Sequence, residues 1–248
     1  MTGGSRGLSV VVPSVNGWSD LSDCLRALMA AGRDVPLEVL VVDRLGDAVR
    51  DRIRTEFPSV RILPAPPGTT IPALRAMAFE AATADAVAVI EDHVLVPPGW
   101  AKALLAALAA GEDVIGGGVE NAATETVVDW AAFLCEYSQL IPPLPSGPVA
   151  ALTGNNTAYR RSVLQRYRSV WSAGGWENRL HDALRRDGIP LYQHPEIVVG
   201  HKMHYSIPGY LEQRYLYARA WAGDRVAGGS PLRRLGFGSA ALLLPTLL

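Results

Sequence analysis

From Leu8 to Val119 the chain alternates short apolar runs with segments of helical period, and no hairpin turn separates any two of the runs. Strands joined this way must lie parallel, because a parallel pair needs a crossover that a helix normally supplies. The runs Leu8–Val12, Leu37–Val42, Val60–Leu63, Ala86–Ile90 and Val114–Val119 read as buried strands. Between them, Ser19 opens a helix with Leu21, Leu25 and Leu28 on one face and Gly32 at its end. Val49, Ile53 and Phe57 mark a second helix stopped by Pro58, Pro72 starts a third that runs to about Ala84, and a fourth covers Trp100–Ala110. The expected class is α/β, one domain with a mostly parallel central sheet and helices on both faces.

The second half is less regular. Helices are expected over Val127–Leu140, Arg160–Tyr167, Glu177–Arg186 and Pro208 to about Val226, with extended chain at Val149–Thr153 and Leu191–Gly200. Nothing resembles a linker between autonomous domains. The 248 residues are 49% hydrophobic and 19% charged, which excludes disorder and supplies a large core. Twenty-three basic against 24 acidic residues excludes the basic bulk charge of a nucleic-acid binder. Cys24 and Cys135, both among apolar residues, read as buried thiols of a reducing, cytoplasmic compartment. Leu8–Val12 is too short for a signal peptide.

Ligands of open parallel sheets bind beyond the C-terminal strand ends. Three polar marks fall there: Asp43, Glu91-Asp92-His93 and His201. Asp43 reads equally as an ordinary strand-end residue. Glu91-Asp92-His93 asks for more, since adjacent carboxylates repel without a cap or a cation. A divalent ion bridging a nucleotide diphosphate needs only one or two protein carboxylates, and a histidine ligand favours Mn²⁺ over Mg²⁺. Strand-end capping and metal binding both fit these three residues taken alone.

The order of segments resembles glycosyltransferase family 2, enzymes of the GT-A fold, over residues 8–225. The likeness is carried by Leu8–Asn16 with its Pro13-Ser14-Val15-Asn16 turn, by Glu38–Asp43, by Ala86–Trp100, by Gly154-Asn155-Asn156 ahead of Arg160-Arg161, and by Trp176-Glu177 ahead of Gly188. It implies a nucleotide-sugar and metal half at 8–120 and an acceptor half at 121–225. It implies a nucleotide-diphosphate sugar as donor, a UDP-sugar first, contacted by Pro13, Val15, Asp43, Arg75, Glu91, Asp92, Gly154, Asn155 and Asn156. It implies a divalent cation (Mn or Mg) on Glu91, His93 and His201, and Glu177 as the base of an inverting displacement. Two departures stand out: Glu-Asp-His where the family usually has Asp-x-Asp, and Trp176-Glu177 where it usually has Glu-Asp.

Two rivals keep the same fold. One is a non-catalytic binding or scaffold relative, which the altered motifs would suit. The other is a sugar-phosphate nucleotidyltransferase, disfavoured because Pro13–Gly17 lacks the charges of its phosphate loop. His181 reads as an exposed helix residue. Arg214 and Arg219, on a helix rich in tyrosine, are candidates to clamp the diphosphate. Residues 226–248 form an apolar tail, with Arg233 and Arg234 ahead of a stretch too short for a full span. One reading is a membrane-surface helix facing anionic lipid, which would place a glycan or lipid acceptor at the inner face of the membrane; the other is an ordinary core or dimer-contact helix.

Overall fold

The computed structural model describes residues 5–33, 35–226 and 228–241. The described chain forms two compact units, one ending at Met203 and the other starting at His204.

The first unit opens as the alternation requires: β1 (Ser5–Ser14), α1 (Trp18–Ala31), β2 (Leu37–Asp43), α2 (Asp47–Glu56), β3 (Arg61–Pro64), α3 (Ile71–Ala81) and β4 (Ala84–Val89). A two-residue β5 (Val94–Leu95), α4 (Trp100–Ala109), β6 (Val114–Asn121) and α5 (Val127–Tyr137) follow. Then come β7 (Gly147–Val149), β8 (Thr157–Arg160), α6 (Arg161–Arg166), α7 (Arg168–Trp171), α8 (Glu177–Arg186) and β9 (Leu191–His201). The sheet order is β3-β2-β1-β4-β8-β6-β9-β5, with β7 on β9. Strands β1 to β4 pair in parallel, with Ser14 beside Asp43 and Val11 beside Val89 in register. β8 runs antiparallel between β4 and β6, and β6 pairs in parallel with β9. The sheet is therefore mixed and mostly parallel.

Side chains alternate along each strand between two cores, as the two-residue period demands. Leu8, Val10 and Val12 of β1, with Val39 and Val41 of β2, pack under α1, α2, α4 and α5. Val11, Leu40 and Val42 face the opposite side, under α3, α6, α7 and α8. Helices thus cover both faces, and all the strands pointing one way end on one edge.

Several details differ from expectation. Of Val149–Thr153 only Val149 is in a strand, and Thr157–Arg160 is a strand, so the next helix starts at Arg161. A four-residue inner strand is too brief to show a period. The helix at Val127 ends at Tyr137, followed by a 3-10 turn over Ser138–Leu140. Cys24 is buried, but Cys135 is exposed, because it lies off the buried stripe of α5 formed by Asp129, Ala132 and Phe133. His181 is buried, where an exposed residue was expected, because it shares the inward face of α8 with Leu180 and Leu184. Gly117 admits the register shift of β9, since a Cβ there would lie 1.8 Å from the Ile197 carbonyl oxygen.

The second unit holds α9 (Ile207–Arg225) and α10 (Pro231–Ala241). The rest of the apolar tail, residues 242–248, lies outside the described residues. No helix among the described residues is long and apolar enough to cross a membrane.

Candidate active site

The C-terminal ends of β1, β4 and β9 and the loop before β8 bring the predicted ion ligands together. Glu91 and His93 follow β4 directly. Pairing of β5 with β9 sets Val94 opposite His201, which delivers the distant histidine to the same point. His93 Nε2 lies 2.9 Å from His201 Nε2, and Glu91 Oε2 is 3.4 Å from the first and 3.8 Å from the second. One ligand atom from each of the three residues falls within a 4.8 Å group. Two imidazole nitrogens facing each other must share either a proton or a cation.

The outer nitrogen of His93 is fixed too. Its Nδ1 sits 3.1 Å from Asp92 Oδ1 and 2.8 Å from Asn16 Nδ2. Asp92 is fully buried and accepts from the backbone N–H groups of Val15 and Asn16 at 2.7 and 2.8 Å and from the Asn16 amide at 2.8 Å. Its oxygens are thus spent on the turn after β1 and on the His93 ring, and direct contact with a donor is closed to it. Burial opposes charge on His93, but a hydrogen bond accepted by Asp92 and the charge of Glu91 outweigh it and raise its pKa. Burial, with the His93 charge, lowers His201 to about 3.

A carboxylate with two imidazoles is a mixed hard and borderline donor set that suits Mn²⁺ better than Mg²⁺. A carboxylate behind a ligating histidine is the usual outer partner of such a site. The residues present therefore fit a divalent cation.

Around this centre, Asn155 donates from Nδ2 to Glu91 Oε2 at 3.3 Å and to Tyr137 Oη at 3.0 Å, while Thr153 Oγ1 donates to its Oδ1 at 2.7 Å. The Tyr137 ring lies 4.8 Å from that of His201. Glu177, the first residue of α8, receives Arg75 Nη1 at 2.6 Å. Among the described residues no donor is bonded to its Oε1. Gly154 lies against this carboxylate, and a Cβ there would come within 2.6 Å of it.

Other predicted residues serve the frame. Asp43 is buried at the end of β2, where it accepts from Ser14 Oγ at 3.0 Å and from the Leu45 and Gly46 N–H groups at 3.2 and 3.1 Å. Asn156 is sealed in the core: it accepts from Trp100 Nε1 at 3.0 Å and donates to the carbonyls of Gly118 and Ile197 at 2.9 and 3.0 Å. That leaves it nothing to offer a donor sugar and corrects its expected role. Pro13 lies in β1 and Val15 in the turn after it. Arg214 and Arg219 belong to α9, where the Arg214 guanidinium lies over the rings of Tyr210 and Tyr217 at 5.7 and 4.9 Å. The sequence reading missed Asn16 and Tyr137 as site residues. Tyr137 had one signal, its four-residue spacing from Phe133 on a helical face.

The strand order, the reversed β8 and a candidate ion site at the strand ends define a class of protein: an α/β enzyme fold of GT-A type. The fold is similar to that of the "Crystal structure of S. aureus TarS 1-349", at 15% identity and a TM-score of 0.58 over 78% of this chain. The match covers 59% of that chain, so this protein spans about three fifths of its length. No curated protein matches. The sequence model of glycosyl transferase family 2 matches residues 9–168, and the chain belongs to that family. Glu177 and His201 lie beyond the matched residues, so geometry alone argues for them.

Proposed function

We propose that the protein moves a sugar from a nucleotide-diphosphate donor, a UDP-sugar first, to an acceptor hydroxyl, with a divalent cation on Glu91, His93 and His201. The observation that carries this reading is the convergence of those three ligands, one from beyond residue 200, beside the Glu177 carboxylate. The cation, when bound, neutralises negative charge gathering on the departing diphosphate. Asp92 and Asn16 hold the His93 ring, and Asn155 holds Glu91, so the ligands are set before the donor arrives. Glu177 takes the acceptor proton on Oε1, and such a base contributes about 10²–10⁴-fold. Attack from the face opposite the leaving group then inverts the sugar.

The acceptor is a glycan or a lipid. Leu232, Leu235 and Phe237 stand exposed on α10 beside Arg233 and Arg234, which suits a surface of anionic lipid. Sedimentation with anionic vesicles tests that part; unchanged binding after deletion of 235–248 counts against it.

The main test is a thermal-shift panel of UDP-, GDP- and dTDP-sugars with and without Mn²⁺. A Mn²⁺-dependent rise with UDP-sugars is expected, and Glu177→Gln should abolish transfer while leaving that rise. No rise with any nucleotide sugar overturns the reading.

A further inference from the structure

Arg75 lies on the buried side of α3 with Leu74 and Ala78 and is 5% exposed. A guanidinium in that position needs compensation, and the protein supplies it at both terminal nitrogens. Nη1 donates to Glu177 Oε2 at 2.6 Å, and Nη2 donates to the Gly154 carbonyl at 3.0 Å. Nη2 also lies 3.8 Å from Glu91 Oε1. Nε is buried without a hydrogen-bond partner, and the Trp176 ring flanks the group at 6.0 Å. The two oxygens of Glu91 face opposite ways: Oε2 towards His93 and His201, Oε1 towards Arg75. A continuous line therefore runs from the candidate ion site through Glu91 and Arg75 to Glu177.

We infer that Arg75 is a positioning residue, not a donor ligand: its fork fixes the Glu177 carboxylate and ties it to the ion ligand Glu91. This rests on the proposed roles of Glu177 and Glu91. A diphosphate would have to displace Glu177 and Gly154 to reach the guanidinium, whereas a brace needs no movement. The planar fork matters, because it serves a carboxylate and a carbonyl together. Lysine offers a single ammonium to the same two acceptors.

The test has two arms on the full chain. In the first, thermal unfolding is measured for the parent, Arg75→Gln, Glu177→Gln and the double variant. Each single change strands a partner, so the double variant should melt within about 2 °C of the better single one. Strictly additive losses overturn the brace, whatever the activity. In the second arm, the affinity for Mn²⁺ with UDP and the kcat for UDP release from the most stabilising UDP-sugar are compared. Arg75→Gln should keep affinity within about threefold while kcat falls about 100-fold, with Arg75→Lys recovering part of the loss and no further loss in the Glu177→Gln background. A tenfold or larger loss of affinity makes Arg75 a donor ligand and overturns the inference. If the first arm is non-additive and the parent turns over no nucleotide sugar, the brace stands as structure, and its catalytic role falls with the functional reading.

Discussion

His93 Nε2 and His201 Nε2 face each other at 2.9 Å across 108 residues of sequence, with the Glu91 carboxylate beside both. Two buried rings held nitrogen to nitrogen bind one proton between them or one cation. His201→Ala removes a proposed ion ligand but no strand pairing, because β5 and β9 pair through their backbones. Mn²⁺ affinity, measured by calorimetry, should fall at least about 100-fold, while the melting temperature without metal stays within a few degrees. Equal affinity in parent and variant removes His201 from the site.

A second histidine sets a pH dependence that has nothing to do with metal. His181 Nε2 lies 2.8 Å from Tyr159 Oη inside the core, and burial lowers its pKa to about 4. In the unfolded chain the group titrates near 6.5, so between those values the unfolded state binds the extra proton. Stability is therefore intact above pH 6.5 and declines as pH falls towards 4, by about 3 kcal/mol from this group. His181→Gln keeps a partner for Tyr159 and removes the titration. Urea unfolding from pH 7.5 to 4 should show a shallower decline in that variant, and an unchanged slope assigns the acid sensitivity elsewhere.

The sequence made the sheet legible wherever burial was two-sided. Runs such as Leu8–Val12 are apolar without interruption because both faces of β1 are covered. The reversed β8 was illegible: four residues flanked by polar loop show no period, and pairing direction is a long-range property. The candidate site was legible as residue types at strand ends but not as roles. Asp92 and Asn156 differ from Glu91 and Asn155 by one position each, yet Asp92 binds the turn after β1 and the outer nitrogen of His93 while Glu91 faces His93 Nε2 and His201, and Asn156 binds Trp100 and two carbonyls while Asn155 binds Glu91. Both pairs lie in turns outside the strands, where no simple period tells which neighbour points inward. The resemblance named Arg75 as a donor contact, but its pairing with Glu177 gave no signal, since spacing does not show what an arginine on an apolar helix face will meet.

The sealed position of Asn156 makes it a stability residue. Its amide satisfies the Trp100 indole and two carbonyls from β6 and β9. Asn156→Ala strands all three, and each buried group left without a partner costs about 1–3 kcal/mol. A loss of about 3 kcal/mol or more in urea unfolding is expected, with Mn²⁺ affinity of the surviving folded fraction unchanged. A smaller effect on stability than on metal binding would return Asn156 to the site.

Gly154 separates folding from catalysis at a single methyl group. Its Cβ position lies 2.6 Å from the Glu177 carboxylate, and the neighbour that must yield is the tip of a flexible side chain, not backbone. Gly154 has no positive φ, so alanine is compatible with the local chain. Gly154→Ala should therefore fold, with a melting temperature no lower than that of Glu177→Gln, and move Glu177 from its proposed place beside the acceptor. A displacement of this kind costs about 10²-fold when the displaced group is the base. Transfer should fall by that amount with the donor-induced thermal shift retained. If turnover survives at parental rate, either the carboxylate moves without consequence or Glu177 is not the base, and the Glu177→Gln rate decides which.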